Sequence, residues 1–138
     1  MQFKTISETI TVSPQITAAE VPAIAAAGYR AILCNRPDGE DAGQPGFAEI
    51  EAAARAAGLE TAFQPVVSGK VTDQDGADFR AAIAALPKPV FAYCRTGTRC
   101  AVLWSLAHAG QLSVDDILQA TRGAGYDLSA LTPRLGAF

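Results

Sequence analysis

Residues 90–100 read Val-Phe-Ala-Tyr-Cys-Arg-Thr-Gly-Thr-Arg-Cys, and this stretch decides the fold. Its first four residues are apolar enough to form a strand buried in the centre of a sheet. Pro87 and Pro89 end the helical segment that precedes the strand, and the residues after the loop carry the spacing of a further helix. The sequence therefore predicts a central strand that leads through a short, glycine-containing loop into a helix.

Apolar, β-prone runs alternate with Ala-rich helical runs along the rest of the chain, which is typical of a parallel sheet covered by helices. The patterns predict strands over 9–13, 30–35, 60–66 and 88–93, and helices over 18–27, 46–57, 74–86, 100–109 and 113–122. Three Ser/Thr–acid pairs, Thr17 with Glu20, Thr72 with Asp75 and Ser113 with Asp116, have the spacing of helix N-terminal caps. We expect one α/β domain over 1–138, with a mostly parallel central sheet flanked by helices.

Composition excludes several classes of function. The 138 residues are 49% hydrophobic and 18% charged, as in a compact globular protein, and the net charge of −3 comes without a dense basic run that would bind nucleic acid. No apolar stretch approaches the roughly 20 residues that span a bilayer, and the N-terminus lacks a signal pattern. Three cysteines without paired spacing indicate a reducing compartment, so we expect a cytoplasmic protein. The single histidine leaves few ligands for a Cys/His zinc site. We therefore expect no membrane, nucleic-acid, metal or cofactor binding.

Cys94 is the candidate nucleophile. It follows the central strand and precedes a helix, and ligands of open α/β sheets bind where such strands end and where helix N-terminal amides point at an anion. The helix dipole and the nearby Arg95 and Arg99 should favour thiolate over thiol. Gly97 allows the loop to curl, and Thr96 and Thr98 add hydroxyl donors. The alternative is a buried structural cysteine beside solvated arginines, but the whole arrangement rarely arises by chance.

The run from Tyr93 to Arg99 resembles the active loop of single-domain rhodaneses. Over nearly its whole length the chain also resembles the bacterial beta-lactamase-hydrolase-like, phosphatase-like domain family, through Gln15-Ile16-Thr17, Gly28-Tyr29-Arg30, Asn35-Arg36-Pro37-Asp38-Gly39-Glu40, Ala56-Ala57-Gly58-Leu59 and Pro65-Val66. The resemblance implies a fold like that of protein-tyrosine and dual-specificity phosphatases. It also implies sulfurtransferase activity in some members, sometimes with a fused sulfur dioxygenase, which makes such an enzyme a possible partner.

The spacing from Cys94 to Arg99 bears on the reaction. Four residues separate them, whereas the phosphatases place one residue more, and the position where the longer spacing would put arginine is Cys100. A shorter loop suits a single sulfur on Cys94 better than a tetrahedral phosphoryl group. Cys100 also stands where related proteins carry Ser or Thr, and a thiol donates weakly, so its help to the thiolate is in doubt. It has either a resolving, persulfide-accepting role or an ordinary packing role.

Other polar residues have ordinary explanations. Asp73 and Asp75 stand where the phosphatase fold would supply a general acid, but helix capping explains them equally well. His108 lies roughly two turns along the helix from Cys94, too far for catalysis. Cys34 and Trp104 are expected in the core, and an ion pair of Arg36 with Asp38, Glu40 or Asp41 is favoured over anion binding.

These observations predict a sulfurtransferase. Cys94 would take the sulfane sulfur of thiosulfate or a low-molecular-weight persulfide, Arg95 and Arg99 would orient the donor, and a thiol acceptor would remove the sulfur. One alternative is a cysteine-dependent phosphatase that forms a phosphocysteine on Cys94. The other is a non-catalytic module that binds anions through the loop.

Overall fold

The protein is described by a computed structural model that covers residues 3–137. In chain order its elements are β1 (Lys4–Ser7), β2 (Ile10–Ser13), α1 (Val21–Ala26), β3 (Ala31–Cys34), α2 (Phe47–Ala56), β4 (Glu60–Phe63), α3 (Asp73–Ala85), β5 (Val90–Tyr93), α4 (Thr98–His108), α5 (Val114–Gly123) and α6 (Thr132–Leu135). Short 3-10 turns over Ala18–Glu20 and Ser129–Leu131 precede α1 and α6.

The five strands form one mixed sheet in the order β1-β2-β5-β3-β4. β1 pairs antiparallel with β2, and the other neighbours pair in parallel. The predicted single, mostly parallel α/β sheet is confirmed, and β5 lies at its centre. In register, Tyr93 stands opposite Ser13 of β2 and Cys34 of β3, so the carboxyl ends of three strands meet beside Cys94.

Alternate residues of β5 enter two different cores, as the two-residue period of a strand requires. Val90, Ala92 and Cys94 face the core formed with α3, α4 and α5, whereas Phe91 and Tyr93 face the core formed with α1 and α2. All five residues are at most 1% exposed. The sheet therefore has helices on both faces, and the full burial of β5 explains its continuous apolar sequence.

The predicted elements are found with small shifts at their ends. β4 ends at Phe63 rather than 66, although Gln64 and Val66 still donate backbone hydrogen bonds to the neighbouring segment. Pro65, between them, has no N–H to donate. The cap pairs also form: the Thr72 hydroxyl accepts from the Asp75 amide at 3.1 Å, and the Ser113 hydroxyl accepts from Asp116 at 3.0 Å. β1 and α6 were not among the predicted elements.

Candidate active site

The loop from Cys94 to Gly97 connects β5 to the first turn of α4. Gly97 is the N-cap of α4 and has a φ of +90°, a left-handed conformation that side chains other than glycine resist. A Cβ there would also collide with the Tyr126 hydroxyl, which donates to the Thr96 carbonyl at 3.0 Å. Tyr126 thus holds the loop from the side, and only glycine fits at position 97.

The loop stabilises the thiolate form of Cys94. The Gly97 amide donates to Cys94 Sγ at 3.1 Å. Donation from the Cys100 thiol, followed by the backbone amides of Cys100, Thr96 and Gly97, lowers the pKa of Cys94 to about 5, although burial opposes the charge. A thiol with this pKa is mostly ionised at neutral pH. Cys94 therefore remains the candidate nucleophile, and the backbone amides around the start of α4 contribute to its low pKa.

Cys100 is a close neighbour of Cys94. Its side chain is fully buried in the first turn of α4, and that burial raises its pKa well above the ordinary value. It therefore stays protonated and can donate to the neighbouring thiolate. Of the groups that lower the pKa of Cys94, the Cys100 thiol has the largest effect, and its role as a resolving or a packing residue stays a prediction.

Arg99 points from α4 toward the β3–α2 segment, where a carboxylate meets it. Its Nη1 and Nη2 donate to the two oxygens of Glu40 at 2.8 and 2.9 Å, and Nη1 also donates to the Val66 carbonyl at 3.0 Å. Arg36 shares the same Glu40 carboxylate, and the two guanidiniums lower the pKa of Glu40 to about 2. Arg99 is 7% exposed. An anion that approaches Arg99 thus meets a guanidinium already paired with Glu40.

Arg95, Thr96 and Thr98 are the exposed residues of the loop. The Thr96 hydroxyl donates to that of Thr98 at 3.0 Å, and the amide of Thr98 donates to Thr96 Oγ1 at 3.3 Å. Arg95 makes a loose ion pair with Asp41 at 3.7 Å, and its side chain is 65% exposed. The structure therefore brings the predicted loop residues together, with three of them open to solvent and the nucleophile beneath them.

Cys94 itself is 0% exposed. Beside the loop lies a pocket of about 310 Å³, and its lining residues come from the loop, from the β4–α3 connection, from α4 and from α6: Ser68, Gly69, Val71, Arg95, Thr96, Thr98, Arg99, Val102 and Arg134. Arg134 was missed, because no motif in the sequence connects it to a loop so far away. Cys94 is not among the residues that line this pocket.

The remaining candidates do not line the pocket beside the loop. Asp73 pairs with Arg134 at 2.9 Å, and Asp75 caps α3. Arg36 pairs with Glu40 and Asp41, as predicted. Cys34 is buried in the α1/α2 core. These aspartates have structural partners, and neither lines the pocket beside the loop.

His108 and Trp104 belong to the packing of α4. The His108 ring lies 4.4 Å from that of Trp104, centroid to centroid, and its Nδ1 lies 2.9 Å from the Trp104 carbonyl. Over residues 3–137, no group of three or more His, Cys, Asp or Glu side chains is arranged to hold a metal ion. Within the same range no helix is long and apolar enough to cross a membrane.

Comparison with known proteins places these features in a family. The sequence model for the beta-lactamase hydrolase-like protein, phosphatase-like domain matches residues 2–111. A beta-lactamase hydrolase-like protein of Agrobacterium fabrum is 37% identical over 96% of this chain and 31% of its own length, and one of Xylella fastidiosa is 34% identical over 100% of this chain and 35% of its own. The chain thus spans about a third of the length of these curated relatives.

Solved structures agree with the fold. A candidate phosphatase from Neisseria meningitidis is 39% identical, with a TM-score of 0.85 over 96% of this chain and 94% of that one. The active form of Tk-PTP superposes with a TM-score of 0.74 over 96% of this chain and 92% of that one, at 16% identity. The expected protein-tyrosine/dual-specificity-phosphatase-like fold is confirmed. The chain belongs to the family of phosphatase-like domains found in beta-lactamase hydrolase-like proteins.

Proposed function

We propose that this domain is a cysteine-dependent phosphatase that acts on phosphomonoesters. The observation that carries the proposal is the lowered pKa of Cys94, at about 5, in a loop at the carboxyl end of β5. The phosphatase-like fold and the description of the Neisseria relative support phosphoryl chemistry. They favour the phosphatase alternative over the sulfur transfer that the short loop spacing predicted.

The reaction uses Cys94 twice. Its thiolate attacks phosphorus, so that an Sγ–P bond forms, the P–O bond to the leaving group breaks, and the leaving group departs as an anion that takes up a proton from water. Water then attacks the phosphocysteine, which breaks the Sγ–P bond, releases inorganic phosphate and restores the thiolate. The amides of Thr96, Gly97 and Cys100 are positioned for the anion that develops at the loop. Because Cys94 is buried, the attack requires the loop to open.

None of the carboxyl groups considered as a general acid is available to protonate the leaving group. Asp73 and Asp75 have structural partners, and Glu40 is ionised, because its two arginine partners lower its pKa to about 2. A phosphatase without a positioned acid depends on a leaving group that departs as an anion. We therefore propose that the domain hydrolyses activated aryl phosphates much faster than alkyl phosphates.

Sulfur transfer is the second candidate, and two observations favour it. Only four residues separate Cys94 from Arg99, and the protonated Cys100 thiol lies beside the nucleophile. In this reaction the thiolate attacks the sulfane sulfur of thiosulfate, the S–S bond breaks and sulfite leaves. A thiol acceptor would take the sulfur from Cys94 and restore its thiolate, and a sulfur dioxygenase partner would then oxidise the acceptor's persulfide with O2. The three free cysteines suit a cytoplasmic location for either reaction.

Parallel assays at neutral pH test these proposals, with p-nitrophenyl phosphate on one side and, on the other, thiosulfate or glutathione persulfide with cyanide or a thiol as the sulfur acceptor. We expect phosphate release from the aryl phosphate that Cys94→Ser abolishes. Cys34→Ser is the matched control, because it makes the same change on the other face of the sheet. Sulfide or thiocyanate formation without phosphate release would reverse the assignment. Anion binding that survives in Cys94→Ser, with neither activity in the unsubstituted protein, would identify a binding module.

A further inference from the structure

Three arginines line the pocket beside the loop. Arg95 and Arg99 come from the loop and the start of α4, and Arg134 comes from α6, at the far end of the sequence. The residues that line it include no Asp or Glu, whereas Val71 and Val102 add an apolar surface. A pocket of about 310 Å³ with this lining accommodates a small molecule that has an apolar body and negative charge.

The three arginines are not equally available to a ligand. Arg99 is paired through both terminal nitrogens with Glu40. Arg95 has only the loose contact of 3.7 Å with Asp41. In the described part of the chain Arg134 donates through Nη2 alone, to the Val71 carbonyl at 3.1 Å and to Asp73 at 2.9 Å. Its Nε and Nη1 therefore remain available to a ligand, and its side chain is 40% exposed.

The two contacts of Arg134 also give it a fixed position. A guanidinium tied to a backbone carbonyl and a carboxylate loses less freedom when it binds a further anion than a free surface arginine does. Arg134 lines the pocket from α6, at a distance in the sequence from the Cys94 loop. It can therefore distinguish substrates without altering the nucleophile.

We propose that Arg134, together with Arg95, forms a second anion subsite beside the loop, so that the preferred substrate is a small phosphomonoester with an additional anionic group such as a carboxylate. This inference rests on the proposed phosphatase function for its first anion. The phosphoryl group occupies the loop, the apolar body of the substrate lies against Val71 and Val102, and the second anion meets Arg134. Arg134 acts on substrate choice and takes no part in bond cleavage.

The test compares phenyl phosphate with 3-carboxyphenyl and 4-carboxyphenyl phosphate as substrates. We expect kcat/KM for at least one carboxylated compound to exceed that for phenyl phosphate by about fivefold, which is typical of one partly exposed ion pair. Arg134→Gln should reduce this ratio to about one, and Arg134→Lys should retain part of it. Arg55→Gln is the matched control, because Arg55 is exposed on α2 and does not line the pocket.

Binding to the Cys94→Ser protein, measured by titration calorimetry, separates this inference from the proposed function. The carboxylated phosphates should bind about fivefold more tightly than phenyl phosphate, and Arg134→Gln should remove the difference. If this holds while the unsubstituted protein hydrolyses none of the compounds, the subsite stands and the phosphatase proposal fails. Equal affinities for all three compounds, or a preference that Arg134→Gln leaves intact, would overturn the subsite.

Discussion

Replacement of Cys100 by alanine should raise the pKa of Cys94. The Cys100 thiol is the largest cause of the low Cys94 pKa, and it stays protonated because its own pKa is raised well above the ordinary value by burial. Alanine removes this donor but leaves the amides of Thr96, Gly97 and residue 100 in place. The substitution therefore isolates one side-chain hydrogen bond from the contribution of the loop backbone.

The size of the effect follows from the hydrogen bond that is lost. A bond to a charged group contributes about 1.5–3 kcal/mol, and a thiol donor belongs at the lower end. Since about 1.4 kcal/mol corresponds to one pH unit, the pKa of Cys94 should rise from about 5 to about 6. At pH 5.5 the thiolate fraction would fall from roughly three-quarters to roughly one-quarter.

Thiolate absorbance near 240 nm, followed during a pH titration, measures this pKa without a reagent that must reach the buried sulfur. The spectrum of Cys94→Ser supplies the baseline. Cys100→Ser is the matched control, because a hydroxyl replaces the thiol donor and should keep the titration near pH 5. If the pKa of Cys94 is the same in Cys100→Ala as in the unsubstituted protein, the backbone amides alone lower it. If Cys94 titrates near pH 9 in the unsubstituted protein, it is not a thiolate at neutral pH and the reasoning is refuted.

Three further predictions concern the loop and its supports. Glu40→Gln should lower the free energy of unfolding by about 1–2 kcal/mol in chemical denaturation, because it leaves buried Arg99 without its carboxylate. An unchanged free energy of unfolding would show that the ion pair contributes nothing to stability. Gly97→Ala should lower the free energy of unfolding by at least about 1–2 kcal/mol and abolish activity. Adding Tyr126→Phe, which removes the clashing hydroxyl, should partly restore the thermal midpoint. A Gly97→Ala protein of unchanged stability would contradict the left-handed loop. The folded state holds the pKa of Cys94 near 5, whereas the unfolded thiol titrates near 9, so only the unfolded state binds the proton between these pH values. The free energy of unfolding should therefore rise with pH by up to about 1.4 kcal/mol per pH unit from pH 6 to 8, and this gain should be lost toward pH 5. Cys94→Ser should remove this slope in urea titrations, and an identical slope in both proteins would contradict the prediction.

The nucleophile loop could be predicted because its determinants are local. An apolar run bounded by prolines defines β5, and the Cys, Gly and following helix define an anion-binding turn within ten consecutive residues or so. The capping pairs at Thr72 and Ser113 are equally local, since donor and acceptor lie three residues apart. The resemblance to a known family then extended this local pattern to the whole fold.

The partners of the loop depend on contacts between residues that are distant in sequence. Glu40 meets Arg99 across 59 positions and Arg134 meets Asp73 across 61, so no spacing rule connects them. The donation from Cys100 to Cys94 also depends on the turn of the loop, because only a backbone that curls at Gly97 brings the two sulfurs side by side.

The sequence by itself determined the central strand, the glycine at the turn and the place of Cys94 between strand and helix, because backbone conformation and hydrophobic burial follow local patterns. Only the tertiary structure decided what surrounds the nucleophile. Pairing by Glu40 occupies Arg99, burial keeps Cys100 protonated, and the packing of α6 brings Arg134 to the pocket. Charge and proton affinity depend on every group within a few ångströms, and that neighbourhood is assembled only when distant segments fold together.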